Sequence, residues 1–221
     1  MKIFITGGLG FIGAALSQSL VAKGHQVTTA NRTLRNAPGL EGVKVIQADT
    51  TVRGLWQEEL SGHDAVINLA GASVFQRWTE KKKEEILRSR VDTTRHVVEA
   101  TAAGGKRIQL YSASAVGYYG FRGDEEIDET GSTGDDFLAR VCAAWEAEAV
   151  KAAAGGSRVV LCRFGVVLGK NGGALAEMAA PFRRYMGAVL GSGKQWFSWI
   201  HMEDLIRFFH FLIDHDAVKG A

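Results

Sequence analysis

Short apolar runs alternate with longer amphipathic segments along this chain, and the two patterns predict different elements. Apolar runs predict strands at residues 2–6, 25–30, 43–48, 64–68, 107–111 and 157–164. Apolar positions at helical spacing predict a helix that ends at residue 23 and further helices at residues 78–103, 137–154, 174–185 and 202–214. This alternation is typical of an α/β fold, so we expect a doubly wound parallel sheet with strand order 3-2-1-4-5-6.

A glycine-rich turn joins the first strand to the first helix, with the sequence Gly7-Gly8-Leu9-Gly10-Phe11-Ile12-Gly13. Glycines permit a tight turn, a close approach of the backbone to a pyrophosphate, and close packing of helix against strand. The helix that follows offers free N–H groups and the positive end of its dipole to phosphates. The pattern predicts a nucleotide site, although glycine turns also join strands to helices without any ligand.

The end of the second strand indicates which dinucleotide is bound. Folds that prefer NAD usually place Asp or Glu about 20 residues past the glycines, to bind the ribose 2′-hydroxyl. This chain has Asn31 and Arg32 there instead. A guanidinium attracts a 2′-phosphate through two hydrogen bonds, which favours NADP(H). The alternative is an ordinary solvated arginine after a strand.

Two more strand ends are expected near the same groove. Asp49 follows the third strand, where such folds often contact the adenine. Leu69, Ala70, Gly71 and Ala72 follow the fourth strand, and their small side chains suit a backbone close to a cofactor. Simple packing of the loop against the strands is the alternative for this segment.

The fifth strand leads into a segment with hydroxyl groups suited to hydride-transfer chemistry. Ser114 could hydrogen-bond a carbonyl or alcohol oxygen, and Tyr118 or Tyr119 could supply a proton. The alternative is a serine- and glycine-rich loop in which the tyrosines only pack. His201, near the far end of the chain, is more often a structural residue than a catalytic one.

Composition limits the function classes. The chain has 221 residues, of which 46% are hydrophobic, and a net charge of +2, which gives no reason to expect nucleic acid or an anionic membrane as partner. It contains no apolar run of the roughly 18 residues that a membrane helix needs and no signal-peptide pattern, so we expect a cytoplasmic protein. Cys142 and Cys162 are expected to be buried thiols rather than a disulfide, and no metal-ligand spacing is found.

These pieces together resemble the extended short-chain dehydrogenase/reductase superfamily. Thr6 to Gly13 resembles its T-G-x-x-G-x-x-G motif, Asn68 to Gly71 its fourth-strand motif, and Ser112 to Tyr118 the segment with its catalytic serine. Within it the chain is most similar to an atypical epimerase-like subgroup, which includes proteins called nucleoside-diphosphate-sugar epimerases. Segments that carry this likeness include Arg77-Trp78, Ser89-Arg90, Gly117-Tyr118-Tyr119-Gly120, Trp145-Glu146 and Trp199-Ile200-His201.

The resemblance covers nearly the whole chain and implies a Rossmann domain that binds NADP(H). With the glycine turn and the strand ends it assigns cofactor binding to Gly7, Gly10, Phe11, Ile12, Gly13, Asn31, Arg32, Leu69, Ala70, Gly71, Glu85, Arg90 and Val167. It also implies a division into a dinucleotide-binding domain, residues 1–170, and the start of a substrate-binding lobe, residues 171–221. That lobe is expected to be incomplete, because extended members of the superfamily continue further.

One departure from the superfamily concerns the reaction itself. Most members carry Tyr-x-x-x-Lys on the helix after the fifth strand, where the lysine tunes the tyrosine as an acid or base. Alignment on Trp145-Glu146 places Leu138 and Cys142 at those two positions. Arg122 follows Tyr118 at the same spacing in a loop and could form a substitute dyad; otherwise both are plain loop residues.

Two functions are consistent with these observations. The first is an NADP(H)-dependent oxidoreductase or epimerase-like enzyme that acts on a small alcohol, ketone or sugar derivative, with Ser114 and Tyr118 or Tyr119 at the reacting oxygen. The second is a non-catalytic NADP(H)-binding module that reports redox state to a partner. The absent tyrosine–lysine pair motivates the second.

Overall fold

The computed structural model describes residues 1–34, 40–170, 172–189 and 191–221. Asn171, at the predicted domain boundary, and Leu190, in the predicted substrate lobe, lie outside the described residues. The strands are β1 (Lys2–Thr6), β2 (Gln26–Asn31), β3 (Val43–Gln47), β4 (Ala65–Asn68), β5 (Gln109–Ala115), β6 (Arg158–Phe164), β7 (Val166–Leu168) and β8 (Trp199–His201). The helices are α1 (Phe11–Ala22), α2 (Trp56–Ser61), α3 (Glu80–Ala103), α4 (Phe137–Ala149), α5 (Gly173–Arg183) and α6 (Met202–Asp214).

Strands β1 to β6 of the described chain form one parallel sheet in the order β3-β2-β1-β4-β5-β6. This confirms the predicted doubly wound fold. β1 pairs with β2 on one side and with β4 on the other, so the direction of winding reverses between β1 and β4. A crevice therefore opens at the carboxyl ends of these two strands, which is where α/β sheets bind ligands.

Alternate residues of each strand face opposite layers of helices. Ile3 and Ile5 of β1 pack with α1 and α6, whereas Phe4 packs on the opposite face in a cluster with α2 and α3. α6 contributes Leu205 and Phe209, both fully buried, to the same core as β1. The last helix therefore packs on the six-stranded sheet, while the proposed division at residue 170 stays a prediction.

The largest difference from the predicted elements is the length of β5. The strand was expected to end at Tyr111, but it continues to Ala115 because its backbone stays paired with β6 from Ser112↔Leu161 to Ala115↔Phe164. Small side chains gave no apolar pattern to follow over that stretch. Helix α2 and the two-stranded sheet of β7 and β8 were also missed, since both are very short.

Both cysteines are free and buried, as expected. Burial raises the pKa of Cys162 to about 12, so its thiolate is suppressed. No helix in the described ranges is long and apolar enough to cross a bilayer.

Candidate functional site

A groove of about 320 Å³ lies at the carboxyl edge of the sheet, where β1 and β4 part. It collects seven of the predicted cofactor residues, namely Gly7, Gly10, Asn31, Arg32, Leu69, Ala70 and Gly71. It is also lined by polar residues that sequence reasoning assigned no site role, namely Thr33, Thr50, Thr51, Ser89 and Thr93. A larger depression of about 530 Å³ lies between α2 and α3, but no strand end opens into it.

The turn between β1 and α1 leaves no room for a side chain at Gly7, Gly8 or Gly13, and at Gly8 a Cβ would lie 1.9 Å from Thr29 Oγ1. Gly7 has a φ of +71°, and a Cβ there would lie 3.1 Å from the Cα of Ala70. A Cβ on Gly13 would lie 2.4 Å from the carbonyl oxygen of Gly7 and 2.6 Å from the Cα of Gly8. Gly10 is the N-cap of α1 and lines the groove, and because it has no side chain, the N–H groups of the first turn have no side-chain cap. This cradle fits a pyrophosphate.

Polar side chains inside the sheet fix the position of the turn. The hydroxyl of Thr6 donates to Asn68 Oδ1 at 2.6 Å, and Asn68 Nδ2 donates to Thr94 Oγ1 on α3 at 2.7 Å. The backbone N–H groups of Leu69 and Ala70 both donate to Thr6 Oγ1. The three elements around the groove are thus tied together. Thr6 and Asn68, which are polar residues at the ends of otherwise apolar strands, could have indicated this network from the sequence.

Asn31 and Arg32 have different roles in the groove. Asn31 Oδ1 accepts from the N–H of Leu9 at 3.0 Å, and Asn31 Nδ2 donates to Thr29 Oγ1 at 3.0 Å, so its carboxamide is used inside the protein. Arg32 is exposed, and its guanidinium has no partner among the residues of the described ranges. Arg32 is therefore available for an anionic group of a ligand.

The side chains of three predicted cofactor residues pack against other parts of the protein and do not line the groove. The ring of Phe11 lies against Gly169, Gly172 and Gly173, where a Cβ would come within 3.1, 2.9 and 2.5 Å of it. Ile12 and Val167 pack at the edge of the core beside α6. Only their backbone groups are left for a ligand.

Of the two residues predicted on α3, one borders the groove and the other does not. The Arg90 guanidinium lies behind Gly71 and donates to the carbonyls of Ala72 and Ile86 at 3.1 and 3.0 Å. Burial lowers the pKa of Arg90. Glu85 is exposed and pairs with Lys82 at 3.0 Å, so the structure does not bring it to the groove.

A second set of residues lies at the carboxyl ends of β5 and β6. Ser114 and Arg163 are opposite each other in the register of these strands, so their side chains share one face. Glu146 reaches the same face from α4. We call Ser114, Tyr118, Tyr119, Glu146 and Arg163 the hydroxyl cluster.

An ion pair forms the centre of the hydroxyl cluster. Arg163 Nε and Nη2 donate to the two carboxylate oxygens of Glu146 at 2.9 and 2.8 Å, and both side chains are nearly buried, at 11% and 7% exposure. The hydroxyl of Ser114 donates to Glu146 Oε1 at 2.5 Å. The hydrogen bond to Glu146 is the main cause that raises the pKa of Arg163 far above its usual value, so the guanidinium stays charged.

The same guanidinium contacts both candidate tyrosines. Arg163 Nη1 donates to the hydroxyl of Tyr119 at 2.9 Å, and its Cζ lies 3.7 Å from the centre of the Tyr118 ring. Arg122 instead donates to the carbonyl of Tyr119 and to Ser132, so the substitute dyad of Tyr118 and Arg122 does not form. A loop spacing of four does not guarantee contact.

Sequence reasoning did not assign Glu146 or Arg163 a role. The available signals were Glu146 directly after Trp145 on a helix rich in alanine, and Arg163 directly after the apolar run from Val159 to Cys162. Their ion pair lies beside Ser114 because of the register of β5 and β6. The predicted β5 ended at Tyr111, so it did not include Ser114 or its pairing with Arg163.

The positions of the missing pair supply no proton-transfer group. Leu138 is aliphatic, and burial, followed by the charge of Glu146, raises the pKa of the Cys142 thiol. His201 is the N-cap of α6, where its Nδ1 accepts from the N–H of Glu203 at 3.4 Å. Within the described residues, no group of three or more His, Cys, Asp or Glu side chains could hold a metal ion.

Comparison with known proteins decides the family. The sequence model of the NAD dependent epimerase/dehydratase family matches residues 3–221. The chain belongs to this family. As a member of the epimerase/dehydratase family it is an NAD(P)-binding protein of the short-chain dehydrogenase/reductase type, with the Rossmann fold described above.

Curated relatives carry the family name without a stated reaction. The chain is 40% identical over 228 residues to an Arabidopsis thaliana protein, "Epimerase family protein SDR39U1 homolog, chloroplastic", and spans 65% of its length. It is 37% identical over 223 residues to an epimerase family protein of Staphylococcus epidermidis and spans 73% of it. The chain thus covers about two thirds to three quarters of these relatives.

Solved structures of two similar proteins share the fold over the whole chain. The human epimerase family protein SDR39U1, solved with NADPH, is 33% identical with a TM-score of 0.80, and the chain covers 72% of it. A nucleoside-diphosphate sugar epimerase from Corynebacterium glutamicum is 35% identical with a TM-score of 0.83, and the chain covers 45% of it.

Proposed function

We propose that this protein is an NADP(H)-dependent oxidoreductase or epimerase-like enzyme acting on a small alcohol, ketone or sugar derivative. The observation that carries the proposal is the combination of two features at one edge of the sheet. A groove with a glycine turn suits a dinucleotide, and the hydroxyl cluster at the ends of β5 and β6 suits a reacting oxygen.

Preference for NADP(H) over NAD(H) rests on Arg32. At the end of β2, where a ribose 2′-hydroxyl usually meets a carboxylate, the chain has Asn31 and Arg32, and the exposed Arg32 guanidinium has no partner among the described residues. A 2′-phosphate beside it would gain charge-assisted hydrogen bonds that NAD(H) could not make. The human relative solved with NADPH supports the same preference.

The residues of this chain would divide the remaining tasks. The first turn of α1 would hold the pyrophosphate, and the rest of the dinucleotide would lie against Leu69, Ala70 and Gly71. Bound NADP(H) would supply or accept the hydride. Ser114 would orient the substrate oxygen, and a tyrosine of the hydroxyl cluster would exchange the proton.

A non-catalytic NADP(H)-binding module is the second candidate. Leu138 and Cys142 occupy the positions of the usual tyrosine and lysine, which favours this alternative. Such a module would bind the dinucleotide tightly and report redox state to a partner, and it would turn over no substrate.

Turnover separates the two candidates. The holoprotein is mixed with a broad panel of carbonyl compounds and alcohols, and NADPH absorbance is followed for wild type, Ser114→Ala and Tyr119→Phe. The enzyme predicts steady hydride transfer to at least one compound, lost in both variants. Tyr185→Phe is the matched control, because Tyr185 is fully exposed. Tight NADPH binding with no turnover across the panel would contradict the enzyme and support the module.

A further inference from the structure

The proposed reaction lacks its usual cation, because no tyrosine in the sequence has a lysine four residues after it. We propose that Arg163 and Glu146 are positioning residues that replace the missing tyrosine–lysine pair, with Tyr119 rather than Tyr118 as the proton donor. This inference rests on the proposed enzymatic function and names the residues that would make it work.

The direction of one hydrogen bond selects Tyr119. A guanidinium has only donors, so the hydroxyl oxygen of Tyr119 must accept from Arg163 Nη1. The hydroxyl proton of Tyr119 then points elsewhere, and no acceptor for it is found within the described residues. A substrate oxygen can take that place. Tyr118 instead meets the same cation with its ring face, which leaves its oxygen without the charge.

Glu146 determines how Ser114 can act. Its carboxylate accepts from the Ser114 hydroxyl, so that proton is already engaged. The remaining lone pairs of Ser114 can accept from a substrate hydroxyl. Ser114 is therefore suited to orient an alcohol oxygen, and Tyr119 is the hydroxyl of the cluster suited to give a proton to a carbonyl oxygen.

The proton step balances in both directions. When the carbonyl carbon receives hydride, the C=O π bond opens, and the oxygen takes the proton of Tyr119 to become an alcohol. The phenolate left behind faces the Arg163 cation 2.9 Å away, and a proton from solvent restores it. Alcohol oxidation follows the reverse course, with the oxidised dinucleotide as hydride acceptor.

The competing explanation is that the ion pair only joins α4 to β6. Arg122 offers a matched control, because it is an arginine that contacts Tyr119 through the backbone carbonyl and not through the hydroxyl. A purely structural pair would affect folding and leave the hydroxyl of Tyr119 unchanged. The test therefore needs one readout of rate and one of the hydroxyl itself.

For the rate, wild type, Arg163→Met and Arg122→Met are compared on a substrate that wild type turns over. We expect kcat to fall about 100-fold in Arg163→Met and to stay within about threefold in Arg122→Met. The affinity for NADPH should be the same in all three. Arg163→Ala should regain rate when guanidinium is added at millimolar concentration, whereas a structural defect would not respond.

For the hydroxyl, NMR of protein labelled at the tyrosine ring carbon that bears oxygen reports on four tyrosines. The signal assigned by Tyr119→Phe should move towards that of exposed Tyr185 in Arg163→Met and stay in place in Arg122→Met. This readout needs no substrate. If Arg163→Met does not fold, Glu146→Gln/Arg163→Met leaves no unpaired charge and replaces it in both measurements, with the same expected changes.

The outcomes separate the two claims. Absence of turnover in wild type would overturn the enzymatic function and this inference with it. Wild-type turnover with an undiminished rate in Arg163→Met, an equal loss in Arg122→Met, or an unmoved Tyr119 signal would overturn the inference alone. Loss of rate in Tyr118→Phe but not in Tyr119→Phe would overturn the choice of donor.

Discussion

The groove and the hydroxyl cluster lie on the same edge of one sheet but are formed by different parts of the chain. The groove is lined by the glycine turn, where Gly7 and Gly13 leave no room for a Cβ, by the residues that follow β2, β3 and β4, and by two polar residues of α3. The hydroxyl cluster is formed by side chains from β5, α4 and β6, held by one ion pair. The groove therefore depends on a few glycines and on Arg32, whereas the hydroxyl cluster depends on both partners of its ion pair.

This difference explains where the chain departs from its superfamily. The glycine motif that shapes the groove is kept, and the tyrosine–lysine pair is absent. A nearly buried ion pair instead joins Glu146, one turn after Cys142 on α4, to Arg163 of β6. The groove and the hydroxyl cluster share none of their residues, and the experiments below test each of them separately.

The largest effect is expected from breaking the ion pair of the hydroxyl cluster. Arg163→Met leaves the Glu146 carboxylate nearly buried and unpaired, which should lower the free energy of unfolding by about 3–5 kcal/mol. Lys44→Met breaks the ion pair between Lys44 and Glu59. Because the Lys44 side chain is 58% exposed, the free energy of unfolding should fall by less than about 1 kcal/mol. Urea denaturation measures both. Equal losses would show that the cluster is not a buried electrostatic unit.

A smaller but specific loss is expected from the glycine turn. Gly13→Ala places a Cβ 2.4 Å from a backbone oxygen that has no room to move, so we expect a destabilisation of about 3 kcal/mol. Weakened NADPH binding should accompany it. Gly155→Ala is the control, because nothing lies within 4 Å of a Cβ there. Similar denaturation midpoints for the two variants would contradict the close contact.

The smallest effect is expected on the pH dependence of stability, through His63 beneath β1 and β2. His63 packs edge-on against Phe4 of β1 and hydrogen-bonds Thr28 of β2, and burial lowers its pKa. The unfolded chain then binds more protons below about pH 6.5, so stability should fall as the pH drops below that value. His63→Gln should reduce this loss of stability at low pH, and the part that remains is expected from His25 and His210, whose pKa values burial also lowers. An unchanged profile in His63→Gln would show that another group is responsible.

The sequence was most informative about the backbone and least about contacts between distant side chains. Strand order and the glycine turn follow from local patterns, so both could be predicted. The bond from Ser114 to Glu146 and the pairing of Glu146 with Arg163 depend on the register of β5 and β6 and on how α4 packs over them. Helical position alone also did not reveal which face of α3 meets the groove, and the predicted role of Glu85, which pairs with Lys82, stays a prediction.

Binding of the two dinucleotides is the most direct measurement of the central claim, which is that backbone amides and Arg32 form a site for NADP(H). Isothermal titration of NADPH and NADH into wild type and Arg32→Ala gives four affinities. We predict that wild type binds NADPH at least about 10-fold more tightly than NADH, and that Arg32→Ala loses this preference while binding NADH as before. Equal affinities in wild type, or a preference that survives in Arg32→Ala, would contradict the account.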